Sequence, residues 1–480
     1  MSEFYDRTTE IETLNQIVRQ PGAQFVMVFG RRRVGKTTLL TTWAGQTGLP
    51  TLYWVAKRDS REALMADLAQ AIYAWQHDLD YSGLDFRPSN WEGVLRTLAQ
   101  AAGSRRVVVI LDELPYALEQ DRALGSYLQA AWDHLFKETQ ICLFLSGSHI
   151  GMLTGLTHYQ APLYGRLTAQ FPVSPLTFAN IRQFLPHYSA SKRLAVYAIL
   201  GGIPAYLERW NDRETISTNV ERLFLQRTGW FRNEPLVLIS DLTQRETTNF
   251  EAILKALADG RHGRDEIAHH SGIPSTSLSH YLPRLIELGL VERRLPATVP
   301  LPQLKTSKQS RYFLSDPFLR FYYRFVDPNL GLIERGLARR LWQMMDDHFR
   351  AFVALTFEEL CREWVVRQAR RGQFPFLPEN VGSHWSAEVQ IDVVAINWRE
   401  RQLWLGECKW GDQLVGQGVI AELIEEKTPK LLRALADEGI GWTIHYAFFA
   451  RKGFTPAARS AAAGHKATLV DLEQMTLDLE

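Results

Sequence analysis

Cysteine is scarce in this 480-residue chain: Cys142, Cys361 and Cys408 are the three present, far apart in sequence. That spacing excludes a zinc-finger pattern or a disulfide framework and fits a reducing compartment, so a cytoplasmic protein is expected. Long apolar runs are missing as well. No stretch of 18 apolar residues occurs, and no membrane span is expected. The opening segment MSEFYDRTTEIETL carries charges where a secretion signal needs an apolar core, so no signal peptide is expected. Charge of one sign is also lacking: 54 Lys and Arg face 53 Asp and Glu. A net charge of +1 gives no general attraction to nucleic acid, and any such affinity must come from local patches. Repeats and low-complexity segments are absent. What remains is ample core material, with 46% hydrophobic and 11% aromatic residues, in a length that suggests roughly three domains.

The first 180 or so residues alternate short apolar runs with periodic helical stretches. FVMVFG (25–30), LPTLYWVA (49–56), RVVVILDE (106–113) and ICLFLSGS (141–148) read as buried parallel strands. REALMADLAQAIYAW (61–75) and LGSYLQAAWDHLFKE (124–138) read as helices between them. This is the pattern of an α/β domain with a mostly parallel sheet. Residues 178–238 look helical throughout, broken by GGIP at 201–204. From about 248 to 295, three helical stretches with a tight turn at SGIP read as a helix-turn-helix. VERRL and RYFLSD flank a Pro-rich loop, as the two strands of a wing would.

GRRRVGKT (30–37) matches G-x-x-x-x-G-K-[ST] in the required place, after a strand and before a helix. Chance alone gives on the order of 0.02 such matches in a chain this long. Gly30 and Gly35 let backbone N–H groups curl around phosphate oxygens. Arg31, Arg32, Arg33 and Val34 complete the loop, and Thr38 follows it. Lys36 supplies charge to the terminal phosphates of ATP, and Thr37 offers its hydroxyl to Mg²⁺. Asp112 ends an apolar strand and is expected to serve the same Mg²⁺. Glu113, beside it, is placed to polarise the attacking water. Ser146 and Ser148 lie at a third strand tip. Ser148 could meet a γ-phosphate or could cap the following helix. Arg166 could reach a γ-phosphate of its own subunit or of a neighbour in a homo-oligomer, or could be a surface arginine.

FYDRTTEIETL, GRRRVGKT, LDELPY, LSGSHIGM, LYGRLT and GGIPAYL occur in this order. The chain thereby resembles the archaeal-type ATPase family, a branch of the P-loop AAA+/STAND group. Many members of that family carry a winged helix followed by a restriction-endonuclease-like domain. The resemblance extends to RYFLSDPFLRFYYRF (311–325) and residues 388–410. It implies that Asp6 and Arg7 lie near the adenine edge and that GGIP belongs to a lid over the nucleotide. The expected order is a P-loop core at 1–177, a helical lid at 178–238, a winged helix-turn-helix at 239–317 and a restriction-endonuclease-like α/β domain at 318–480.

Between 260 and 312 eight Lys and Arg stand against four Asp and Glu. The segment Pro274–Leu288 reads as a recognition helix with Ser275, Thr276, Ser277, Ser279 and His280 at its start, suited to phosphates and base edges. Lys305, Lys308 and Arg311 could form a basic wing. DNA contact and internal packing are both open to this unit.

The last motif is ECKW, at 407–410. An E-x-K triplet is expected about once or twice in any chain of this size, and Glu425-Glu426-Lys427 supplies another. The hairpin around it is more informative. VQIDVVAIN and QLWLGECKW flank the polar turn WRER, so Asp392 falls opposite Glu407, with Cβ atoms about 5 Å apart. Lys409 shares that face. Two carboxylates so placed call for a cation between them, and Mg²⁺ or Mn²⁺ suits oxygen ligands. This is the D…E-x-K logic of PD-(D/E)xK nucleases, and the resemblance adds Glu358, rather than Glu359, to the centre. A salt-bridged hairpin or an inactive nuclease fold are the other readings. The function expected is an ATP-hydrolysing protein joined to a DNA-binding, metal-dependent nuclease. The alternative is a STAND-type switch whose C-terminal domain only binds.

Overall fold

The computed structural model describes residues 6–79, 86–243, 247–435 and 439–480. The chain divides into two compact units. One holds residues 1–175 together with Ile203–Tyr206, and the other Leu176–Gly202 with Leu207–Glu480. Phe4 and Tyr5 of the FYDRTTEIETL segment lie outside the described residues.

The first unit is built on five parallel strands: β1 (Gln24–Phe29), β2 (Thr51–Val55), β3 (Val107–Asp112), β4 (Ile141–Gly147) and β5 (Ala169–Pro172). Their order in the sheet is β2-β3-β4-β1-β5. Period-2 alternation sorts the strand residues onto two faces. Phe25, Met27, Val107, Val109, Leu111, Leu143 and Leu145 meet the helices Arg61–His77, Trp91–Ala102 and Leu124–His134 in one core. Phe25 and Trp132 stack there with centroids 4.8 Å apart. On the other face Trp43, from helix Lys36–Thr47, packs edge-on against Phe144 at 5.1 Å. Each such fully buried side chain contributes about 1.5–3 kcal/mol through removal from water. The carboxyl ends of β1 and β3 therefore lie on the same edge of the sheet, with β4 between them.

Residues 178–238, which belong to the second unit except for Ile203–Tyr206, are less regular than their apolar pattern suggests. Helix Ala190–Leu200 is well formed, but short helical pieces at Asn180–Gln183, Pro204–Leu207 and Ile216–Leu225 are separated by turns. Pro186, Gly201, Asn211 and Gly229 fall in or beside these breaks, where Pro removes a donor and Gly or Asn favours a turn. Helices Thr247–Ala258, Arg264–Ser271 and Leu278–Glu287 follow, with β6 (Val291–Arg294) antiparallel to β7 (Arg311–Leu314). The third helix starts later than its sequence reads. Residues 274–277 form turns, with Ser277 N donating to Pro274 O at 2.9 Å, and Ser275, Thr276 and Ser277 precede the helix.

The C-terminal sheet contains β8 (Asn380–Trp385), β9 (Gln390–Asn397), β10 (Gln402–Lys409), β11 (Thr443–Ala450) and β12 (Thr468–Asp471), in the order β12-β11-β10-β9-β8. β8, β9 and β10 run antiparallel, whereas β10, β11 and β12 run parallel. The 33-residue helix Ala338–Arg370 packs on it. The segment after β6 is fastened to β8: Ala297 N donates to Ser383 O at 2.8 Å, and Asn380 Nδ2 to Ala297 O at 3.1 Å. Ala297 is part of the C-terminal core. No helix among the described residues is long and apolar enough to cross a membrane.

Candidate nucleotide site and carboxylate–lysine centre

The loop 30–37 needs glycine twice for different reasons. A Cβ on Gly30 would lie 2.3 Å from the carbonyl oxygen of Val173, and Gly35 adopts φ 95° at the N-cap of helix Lys36–Thr47. Only glycine tolerates both. Lys36 is buried; its Nζ donates to Gly30 O (2.9 Å), Arg31 O (3.2 Å) and Ser148 Oγ (2.9 Å). Burial lowers its pKa, and the nearby carboxylates of Glu113 and Asp112 oppose that fall. Thr37 Oγ1 donates to Asp112 Oδ2 at 2.6 Å, and Glu113 N donates to Asp112 Oδ1 at 2.9 Å.

Glu113 holds φ 48°, a left-handed conformation that costs a non-glycine residue on the order of 1 kcal/mol. The strain aims its carboxylate at Ser148, whose Oγ donates to Oε1 at 2.8 Å and whose N donates to Oε2 at 3.3 Å. Ser148 therefore joins Lys36 to Glu113. It does not cap the following helix: His149 occupies the N-cap, without a side-chain cap bond. Ser146 is fully buried in β4.

Other residues frame the loop. Arg7, at φ 71°, is buried and donates to Val34 O at 3.0 Å and to Glu10 at 2.6 Å. Asp6 shares the left-handed backbone. Pro204 and Tyr206, from the GGIPAY segment, approach the loop: Pro204 lies 3.8 Å from the Cβ position of Gly35, and Arg31 Nη2 donates to Tyr206 Oη at 3.3 Å. Arg33 takes φ 67° and Thr38 is exposed in the first helical turn. Arg166 is bound to Asp133 through Nε (2.9 Å) and Nη2 (2.8 Å), and holds that carboxyl below its ordinary range. Sequence reasoning missed Tyr53, whose hydroxyl donates to Asp112 Oδ2 at 3.1 Å. Its signal was the alternation of LYW at the strand end, which turns Tyr53 outward between buried Leu52 and Trp54.

In the winged unit, Thr276, Ser279 and His280 are exposed, as are Lys305 and Lys308. Arg311 is not a free wing cation; its guanidinium covers the ring of Trp385 at 5.1 Å.

The C-terminal hairpin has the expected register. Gln402 pairs with Asn397 and Gly406 with Val393, so the ladder continues toward Glu407 and Asp392. Asp392 Oδ2 accepts from Cys408 N at 2.9 Å. Burial, then repulsion from Glu407, raises its carboxyl to about 6. Glu358, on the long helix, is raised to about 8 by burial and then by Asp392. Glu359 differs sharply. Burial would raise it, but Arg320 (3.1 Å) and Arg294 (3.0 Å) bring it down to about 2. Of the two acids, Glu358 feels the charge of Asp392, whereas Glu359 is held by arginines.

Glu407 is 4% exposed and fully engaged. Lys409 Nζ lies 2.8 Å from Oε1, and Lys427 Nζ donates to both oxygens at 2.9 Å. Lys427 belongs to the triplet that composition alone had discounted. Its helical turn, Glu422–Lys427, brings it back 20 residues onto the strand. The positive charge that the carboxylates require is thus supplied by two lysines. Among the described residues no group of three or more His, Cys, Asp or Glu is disposed to hold a metal ion. Cys361 and Cys408, distant in sequence, influence each other beside this centre, and burial pushes both thiols up.

Residues 4–210 match the family described as an ATPase domain predominantly from Archaea. This part of the chain is thus similar to an ATPase domain. Residues 252–295 match the IclR helix-turn-helix domain, and 322–421 a family of archaeal and bacterial proteins of unknown function. An uncharacterized protein of Methanocaldococcus jannaschii is 27% identical over 417 residues, covering 85% of this chain and 88% of that protein. A Walker-type ATPase of Pyrococcus abyssi is similar in structure, with a TM-score of 0.50 at 19% identity, over 67% of this chain and 96% of that one. That likeness is one of fold.

Proposed function

We propose that this protein is a cytoplasmic ATPase whose P-loop domain (1–177) and helical lid (178–238) work with a winged helix (239–317) that binds DNA. A nuclease-like domain (318–480) completes it, cutting DNA with a divalent metal. The observation that carries the ATPase part is the closed chain Thr37–Asp112–Glu113–Ser148–Lys36. Thr37 and Asp112 present hard oxygen donors and would hold Mg²⁺, which when bound offsets phosphate charge. Lys36 holds the terminal phosphate. Glu113 orients and polarises the attacking water, and Ser148 fixes its carboxylate.

For the nuclease part the support is the convergence of Asp392, Glu407 and Lys409, with Glu358 close enough to be repelled by Asp392. Asp392 and Glu407 would hold Mg²⁺ or Mn²⁺, which would polarise the phosphate; Lys409 steadies the attacked group. A second reading is favoured by the double lysine pairing of Glu407: a regulatory switch of the STAND type in which this domain is a binding platform. The test has two arms. Glu113→Gln should bind ATP and not turn it over, and Lys36→Ala should lose binding or turnover. Wild-type protein should nick plasmid DNA with Mn²⁺, while protein that never cuts, with a melting point indifferent to Mn²⁺, establishes the platform.

A further inference from the structure

Next to the carboxylate–lysine centre lies a cleft of about 380 Å³, within the range of about 300–1,000 Å³ typical of small-ligand sites. Its charged walls come from separate stretches of chain. Lys192 is on helix Ala190–Leu200 and Arg350 on the long helix; Trp410 and Asp412 follow β10, and Arg451 follows β11. Three cations and one carboxylate leave a net charge of +2. Asp412 spreads the two guanidiniums: Oδ2 meets Arg350 Nη2 at 2.8 Å, and Oδ1 meets Arg451 Nη1 at 2.5 Å. Arg451 also lies over the Trp410 ring at 4.9 Å, which fixes its plane. These are not interior salt bridges, because the Arg350 and Asp412 side chains are 64% and 46% exposed, and Arg451 is only half-buried.

The cleft is joined to the centre by backbone. Arg451 N donates to Lys409 O at 3.0 Å, and Trp410 packs on Phe357, the neighbour of Glu358, at 5.1 Å. Two guanidinium forks and an ammonium held around an opening match the oxygens of a phosphate ester. We propose that this cleft binds a backbone phosphate of a nucleic-acid strand adjoining the one held at Lys409. This rests on the reading that residues 318–480 act on nucleic acid. Asp412 competes with the phosphate for the two guanidiniums it occupies.

The test is anisotropy of a labelled single-stranded oligonucleotide in EDTA, over a salt series. Lys192→Ala with Arg350→Ala removes two contacts at about −0.7 of log–log slope each, so the slope should fall by about 1.4 and affinity by about 25-fold at about 0.1 M salt. Asp412→Asn should bind more tightly, which loss of a merely structural ion pair would not produce. Thermal melting of each variant confirms its fold. An unchanged slope in the double variant overturns the proposal, and displacement of the oligonucleotide by thymidine monophosphate at equal phosphate concentration overturns the commitment to a strand. A slope change in protein that never cuts DNA supports the cleft and counts against the nuclease. Cutting with an unchanged slope does the reverse.

Discussion

Removing the Ser148 hydroxyl separates the two halves of the ATP machinery without touching the phosphate cradle. Ser148 Oγ accepts from Lys36 Nζ at 2.9 Å and donates to Glu113 Oε1 at 2.8 Å. In Ser148→Ala, Lys36 retains the carbonyls of Gly30 and Arg31, so the cradle and ATP affinity should hold within a few-fold. Glu113 keeps only the longer bond from Ser148 N. A hydrogen bond to a charged group contributes about 1.5–3 kcal/mol. If that support is needed in the transition state, turnover falls by roughly 10- to 150-fold, at about 1.4 kcal/mol per decade. Phosphate release measures the rate and a fluorescent ATP analogue the affinity. Wild-type turnover in Ser148→Ala would refute the coupling of Ser148 to Glu113. A parallel loss of affinity would place the hydroxyl in the cradle instead.

Three further outcomes are expected. Neutralising Lys305, Lys308 and Arg311 together should flatten the salt dependence of DNA binding by about two slope units rather than three, since Arg311 is held over Trp385; an unchanged slope makes the winged helix a packing module. Glu359→Gln should lower stability by about 1–3 kcal/mol in denaturant melts, less than the ~3–5 kcal/mol of a fully buried pair because 32% of the side chain meets solvent. With the carboxyl depressed to about 2 from an ordinary 4.5, this contribution is complete above pH 4.5 and lost as pH falls toward 2, so wild type and variant should converge in acid. Asp392→Asn and Glu407→Gln should move metal-free melting in opposite directions. The first relieves repulsion, whereas the second strips Lys409 of its carboxylate, leaves Lys427 with Glu422 alone (3.2 Å) and costs about 2–3 kcal/mol; equal shifts would show that the lysine pairs do not carry this balance.

What could be read from sequence was whatever depends on neighbours along the chain. A strand tip reveals its polar residues because burial forces the rest of the strand to be apolar, which exposed Asp112, Glu113 and Ser148. The hairpin register followed from a polar turn between two β-rich runs, since period-2 alternation leaves few alternatives. Contacts made by chain return were hidden. Lys427 reaches Glu407 across 20 residues, and Cys361 meets Cys408 across a helix and a sheet. Nothing local marks either. The start of the recognition helix was misread because Pro274 can open a helix, but the chain closes a turn from Ser277 to Pro274 before Leu278 begins one. The discontinuous helices of 178–238 show the same limit: apolar periodicity was present, but Pro, Gly and Asn broke its backbone.

The sequence argument for a metal began from repulsion: two acids facing each other across a hairpin need a cation. Repulsion does contribute, after burial, to the raised carboxyls of Asp392 and Glu358. It does not select a metal. Lys427 places one ammonium on both oxygens of Glu407, and Lys409 places another on Oε1. A divalent ion must therefore compete with an intramolecular lysine that is always present at high effective concentration. Lys409 is fixed to the strand beside the acids, whereas Lys427 comes from a separate helical turn that is anchored in the core by Leu423. The pairing of Lys427 with Glu407 is accordingly what a divalent ion would have to displace at this carboxylate. The acids and Lys409 are common to a metal-dependent nuclease and a binding platform.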